Sequence, residues 1–253
     1  MMEPVKRKYR LGLLGFLNAL PLVHRLRDRE EVEAVWDTPR PLTEMLKRGE
    51  LDAAITSSYA YAAKLRSVIS DLCIACEGRV VTVMLYANCT LDEIQTVEED
   101  PASLTSNALT RIIFDERKQR VHFTPTLNYS TPLPANTARV LIGDANFHPP
   151  MPYEQVFDLA AVIWELYRLP CVFALWQGKA GVDGKLVKLI ENAFAEVEEN
   201  WDSLYAFAEK EWDVPPPAIR DYFQNVLHYR LTDKDREFLD FFRKKVHDLG
   251  LVW

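Results

Sequence analysis

Histidine and cysteine are scarce, five and four residues in a chain of 253. His24, His122, His148, His228 and His247 form no pair at metal-ligand spacing, which argues against a metal centre. His148, in a loop after a strand, either faces a cleft or is solvated. Cys73 and Cys76 make a C-x-x-C, a pattern shared by redox dithiols and half zinc sites. The segment Ile69–Cys76 reads as a strand, however, and no second metal-spaced pair follows. These two are therefore read as small buried apolar residues. There is no glycine-rich phosphate loop and no G-x-S-x-G elbow. No apolar run reaches the ~18 residues that a membrane helix needs. Positive charge is also lacking: the formal net charge is -7. That balance excludes a nucleic-acid surface, which needs clustered Lys and Arg. It also means that an anionic ligand has to be held by local groups and not by the overall field.

Lys6, Arg7, Lys8 and Arg10 precede the apolar run Leu11–Leu17, which imitates a signal peptide. Asn18 and Pro21 interrupt the run and no small-x-small cleavage site follows. The segment is read as a buried first strand behind a short basic tail, and the chain is expected in the cytoplasm, with no membrane contact.

What is present is ordinary globular material, 48% hydrophobic and 26% charged, with no low-complexity tract. Strands and helices alternate from Tyr9 to Leu65, a rhythm that predicts an α/β fold with a mostly parallel sheet. A second such unit runs from Thr105 to Trp176. From Asp183 onward the pattern is helical, with one long helix expected over Lys185–Trp212 and another after Pro215-Pro216-Pro217. In the last helix, Phe238, Phe241, Phe242, Val246 and Leu249 form one stripe, read as core. Two sheet units and a helical tail predict two lobes: residues 1–84 completed by 179–253, and residues 85–178. Crossings are expected near Thr82–Ala87 and Val172–Gly178, with a ligand cleft between the lobes.

Polar residues where strands end are the candidates for chemistry. Asn18 follows the first strand and either caps the next helix or faces the cleft. Ser57 and Ser58 follow the third strand, and one of them is expected to cap. Ser103-Leu104-Thr105-Ser106-Asn107 opens an amphipathic helix, whose hydroxyls and free N–H groups suit a carboxylate; a plain cap is the alternative. Asp144 follows Val140-Leu141-Ile142 and either lies at a site or anchors a loop.

At these residues the chain resembles the chorismate dehydratases of the futalosine route to menaquinone. The matching segments are GFLNALPL (15–22), GELDAAITSSYAY (49–61), ISDLCIACEGRVVTVMLYA (69–87), SLTSNAL (103–109), VLIGDANF (140–147) and LPCVFALW (169–176). The resemblance implies a two-lobed type II periplasmic-binding-protein fold with a helical C-terminal tail. It also implies cofactor-free and metal-free loss of water from a dianionic small molecule. Family-like site residues fall on Asn18 and Asp144 as catalytic groups. Ser57, Thr82, Ser103, Thr105 and Ser106 fall in substrate-binding positions. The sequence departs from the family at Leu104, where arginine is common, at Val81-Thr82, where a serine-valine pair is common, and in IGDAN. Two other readings fit the same scaffold: a small-anion-binding protein without catalysis, and the sister enzyme acting on cyclic dehypoxanthine futalosine. A monomer or weak homodimer is expected.

Overall fold

The structure, a computed structural model, describes residues 8–251. Lys6 and Arg7 of the expected basic tail lie outside the described residues. Strand β1 (Tyr9–Leu14) lies between β2 (Val32–Asp37) and β3 (Ala53–Ser57) and is parallel to both. Leu11 and Leu13 are fully buried and Leu14 nearly so. A near-continuous apolar run is what a strand covered on both faces requires. The sheet continues through β10 (Cys171–Gly178), β4 (Ser67–Cys76) and β11 (Leu227–Arg230), giving the order β11-β4-β10-β3-β1-β2. The second sheet has the order β7-β6-β8-β5-β9, from β5 (Val83–Ala87), β6 (Thr96–Glu99), β7 (His122–Pro125), β8 (Thr137–Ile142) and β9 (Gln155–Asp158).

Neither sheet is mostly parallel. In the first, β10 is antiparallel to β3 and β4, and β11 to β4; in the second, β5 is antiparallel to β8 and β9. The reason is the path of the chain. It leaves the first sheet along β4 and comes back along β10, so the return strand opposes its neighbours. The second crossing therefore falls at Arg168–Pro170, before β10, and not within Val172–Gly178. Residues 171–178 belong with the first sheet rather than with the second lobe, as 85–178 had implied. Likewise the first crossing is Glu77–Thr82, ahead of β5.

That first crossing is tightly held. The Asp158 carboxylate accepts hydrogen bonds from the backbone N–H of Val80 (2.8 Å) and of Val81 (2.9 Å). Val81 sits at φ 59°, in the left-handed region that a β-branched residue seldom enters. The other oxygen of Asp158 caps α5 (Leu159–Tyr167) by accepting from Ala160 and Ala161.

Helix α1 (Leu20–Val23) is a single turn. Helix α2 (Pro39–Arg48) packs on β1 and β3 and ends at Gly49. Helix α3 (Ser58–Ala62) follows β3, and α4 (Thr105–Glu116) opens the second lobe's helical face. The long tail helix is in fact two, α6 (Gly184–Glu198) and α7 (Trp201–Glu211). Asn200 divides them: its side chain accepts from the Ser203 N–H at 3.1 Å and restarts the helix. After α8 (Pro216–Asp221) the chain makes a π-turn over Tyr222–Val226 and adds β11 to the first sheet. Helix α9 (Asp233–Asp248) buries Phe238, Phe242 and Val246 and packs on α3, so the stripe is core. Among the described residues no helix is long and apolar enough to cross a membrane.

Gly12 leaves room for β3 and α2 beside the first strand. A Cβ there would stand 2.7 Å from Ala54 Cβ on β3, 2.9 Å from Leu51 Cδ1 and 3.1 Å from Leu42 Cδ2 on α2. Gly12→Ala is expected to lower unfolding stability by ~1–3 kcal/mol through overpacking. Gly184→Ala, at a helix start with open space around it, should be neutral or slightly stabilising. Urea unfolding of both variants checks this; equal midpoints would remove the packing account.

Candidate active site

The C-terminal ends of β1 and β3 and the N-terminal end of α4 meet between the lobes. Asn18, Ser57, Ser103, Thr105 and Ser106 line one cavity there, with Leu14, Phe16, Ile74, Val83 and Phe173 as its apolar wall. The cavity measures about 40 Å³. Small-molecule pockets usually offer about 300–1,000 Å³. A ring-bearing ligand therefore enters only if the lobes part.

Ser57 and Thr105 join the lobes directly, with their hydroxyl oxygens 2.6 Å apart. Both also touch the backbone N–H of Tyr59, so Ser57 caps α3 and faces the cavity at once. Thr105 Oγ1 donates to the Phe173 carbonyl at 3.2 Å. Ser103 Oγ accepts from the Ser106 N–H at 3.1 Å, which closes the first turn of α4. Asn107 is structural: its amide holds the Asp100 N–H, the Asp100 carbonyl and the Ser103 carbonyl. Leu104 is buried in the core and does not line the cavity. Arg40, from α2, donates to the Pro101 carbonyl across the cleft at 2.8 Å.

Asn18 caps nothing. It sits inside a short 3-10 turn, Leu17–Ala19, and α1 shows no side-chain cap. Its Oδ1 is buried and accepts no hydrogen bond from the described residues. A buried amide oxygen without a donor costs free energy on the order of 1–3 kcal/mol. A donor on a bound molecule would remove that cost.

Thr82 and Asp144 lie behind the cavity wall. The Thr82 hydroxyl is fully buried against the Tyr222 hydroxyl. Burial pushes the Tyr222 phenol upward, opposed by Thr82 and by Asn18, which stands on the same oxygen. Asp144 bridges the lobes. It accepts from the Leu17 N–H at 3.0 Å and from the Trp212 indole N–H at 2.7 Å. Neither residue lines the cavity. His148 is a solvent-exposed loop residue whose Nε2 lies 2.6 Å from the Asp213 carbonyl.

Sequence reading missed Phe16, Phe173, Trp212 and Tyr222. The first two lie inside the matching segments but carry no polar signal. The last two come from the tail, more than 60 residues from their partners Asp144 and Thr82, so no local pattern points to them. Cys73, Cys76 and Cys171 are buried free thiols, pushed well up by burial, with Cys76 and Cys171 in register on β4 and β10. Among the described residues no three His, Cys, Asp or Glu side chains cluster as a metal site.

Burial raises the Asp144 carboxyl above its ordinary range, against the opposing pull of Trp212 and Leu17. A raised folded-state pKa means that the protonated form is favoured in the fold. The stabilising contribution is complete below the unfolded pKa and is lost as pH rises through the folded one. Asp144→Asn keeps an acceptor for both N–H groups without the charge. Its stability relative to the native chain should therefore increase between pH 4 and pH 7, as measured by thermal unfolding across that range. A pH-independent difference would contradict the burial of this charge.

Residues 9–248 match the menaquinone biosynthesis family. Among curated proteins, the chorismate dehydratase of Thermus thermophilus is 28% identical, covering 91% of this chain and 92% of that one. The chorismate dehydratase of Campylobacter jejuni is 27% identical, covering 95% and 99%. Among solved structures, a protein from Archaeoglobus fulgidus superposes with a TM-score of 0.75 at 15% identity, covering 98% of this chain and all of that one. The aliphatic sulphonate binding protein of Escherichia coli gives 0.58 at 15% identity, covering 99% and 89%. These likenesses establish a periplasmic-binding-protein-like α/β fold with a C-terminal helix. By a match that spans nearly its whole length, the chain belongs to the menaquinone biosynthesis family.

Proposed function

We propose that this protein is a cytoplasmic lyase that dehydrates chorismate to 3-(1-carboxyvinyloxy)benzoate, without a metal or cofactor. The observation that carries the reading is the convergence of Asn18, Ser57, Ser103, Thr105 and Ser106 on one interlobe cavity, with the Asn18 oxygen buried and without a partner among the described residues. The two relatives named chorismate dehydratase support the same substrate.

Chorismate is a dianion and needs two carboxylate clamps. The start of α4, with Thr105 and Ser106, supplies one through hydroxyls, N–H groups and the positive end of the helix. Ser57 supplies part of the other. In the reaction the ring hydroxyl leaves with its electron pair. A proton leaves the ring carbon that bears the enolpyruvyl ether, and the two depart together as water. The ring becomes aromatic, so the site mainly has to position the substrate, accept that proton and assist the leaving hydroxyl. An amide is a poor base, so Asn18 orients and does not abstract. Asp144 is committed to Leu17 and Trp212 behind the wall. That placement favours the substrate's own enolpyruvyl carboxylate as the proton acceptor, with Asp144 positioning Asn18 through the first loop.

Incubation of the purified protein with chorismate should give the aromatic product, seen by absorbance and mass, with chelator-treated protein equally active. Binding of chorismate without conversion would leave a small-anion-binding protein. Turnover of cyclic dehypoxanthine futalosine instead would identify the sister enzyme.

Asn18→Ser and Asn18→Asp should each lose about 100-fold or more in kcat while melting close to the native temperature. Ser shortens the reach, and Asp sets a negative charge beside a dianion. Native turnover in both variants would leave the cavity without its orienting group.

A further inference from the structure

A second and larger chamber adjoins the cavity. It measures about 300 Å³ and is lined by Arg27, Trp36 and Trp212, with Leu20 and Val23; Leu14 and Phe16 form the wall shared with the cavity. We propose that this chamber is a second binding site, for a planar ring that carries a carboxylate.

Each part of that ligand meets a matching group. Trp36, on the edge strand β2, is 44% exposed, a large apolar surface left open at the chamber. Trp212 has its indole N–H taken by Asp144, so it offers the chamber ring surface and no donor. Two indoles and the Phe16 ring favour an aromatic guest, because offset and edge-to-face ring pairs gain energy beyond burial. The charge is met by Arg27. Its guanidinium lies 5.0 Å from the Phe207 ring centre, which orients the planar head. Its ion-pair partner Asp28 is 3.6 Å away with a side chain 90% exposed, an arrangement that binds weakly. In a chain of net charge -7, this is the local cation that such an anion needs.

The identity of the natural occupant rests on the dehydration reading. The product of that reaction is a benzoate that also keeps the enolpyruvyl carboxylate, and the inner cavity of about 40 Å³ has no room to hold it once the lobes meet; the chamber takes its ring and ring carboxylate. The chamber then serves as the exit subsite, with Phe16 as the partition. Gly143 fixes that partition. Its φ of 74° suits glycine, and a Cβ there would stand 2.7 Å from the Phe16 ring.

The test uses benzoate as probe and the full chain, with calorimetry and tryptophan fluorescence as readouts. Benzoate should bind, and cyclohexanecarboxylate, of equal charge but without a π-face, should bind more weakly. Arg27→Gln and Trp36→Ala should each weaken benzoate about threefold or more, while Ser106→Ala, inside the cleft, leaves its affinity unchanged. Absence of benzoate binding, or a loss confined to Ser106→Ala, would overturn the chamber. Chorismate turnover separates the two readings. Benzoate bound at Arg27 and Trp36 by a protein that does not convert chorismate would retain the site and remove the dehydration. Conversion without benzoate binding would do the reverse.

Discussion

The pairing of β10 between β3 and β4 is the interaction on which the rest of the molecule depends. Every residue of this strand is buried. It brings the chain back from the second lobe, so without it the first sheet splits between β3 and β4 and the lobes lose a common frame. It also sets the site. The Phe173 carbonyl receives Thr105, and Phe173 and Ala174 form cavity wall. The Gln177 amide donates to the carbonyls of Thr56 and Ser57, fixing the turn from which Ser57 points inward. A single buried strand thus ties the position of a first-lobe hydroxyl to that of a second-lobe helix.

Much of this was legible in the sequence because it is local. The apolar runs of β1, β4 and β8 and the amphipathic pattern of α4 all follow from periodicity. The polar residues of SLTSN and Ser57 were found because strand ends and helix starts are where backbone groups face a cleft. What was not legible depends on pairing at long range. Strands β6, β9 and β11 are four residues each, too short to show alternation. The direction of β10 depends on where the chain has been, which periodicity does not record. Asp144 was legible as a carboxylate at a strand end, but its partners Leu17 and Trp212 are set by tertiary packing. Its hold on the first loop is therefore a product of tertiary packing that no local pattern records.

The polar residues around the cleft are economical in a physical sense: most serve the fold and face the cavity together. Ser57 caps a helix, Ser103 closes another's first turn, and Thr105 joins both lobes. Such groups are held in place by backbone partners that a ligand does not displace. That is how such a site keeps its geometry. Asn18 differs, since its oxygen has no donor among the described residues, and the loop carrying it is pinned from behind by Asp144.

Val81 bears on how the chain turns between the lobes. A β-branched residue in the left-handed region lies roughly 1–2 kcal/mol above its right-handed alternative. It stands in the first crossing, held by the Asp158 carboxylate. The hydrogen bonds from Val80 and Val81 to one Asp158 oxygen offset that cost, and the other oxygen caps α5, so a single carboxylate sets both the bend between the lobes and the start of a second-lobe helix.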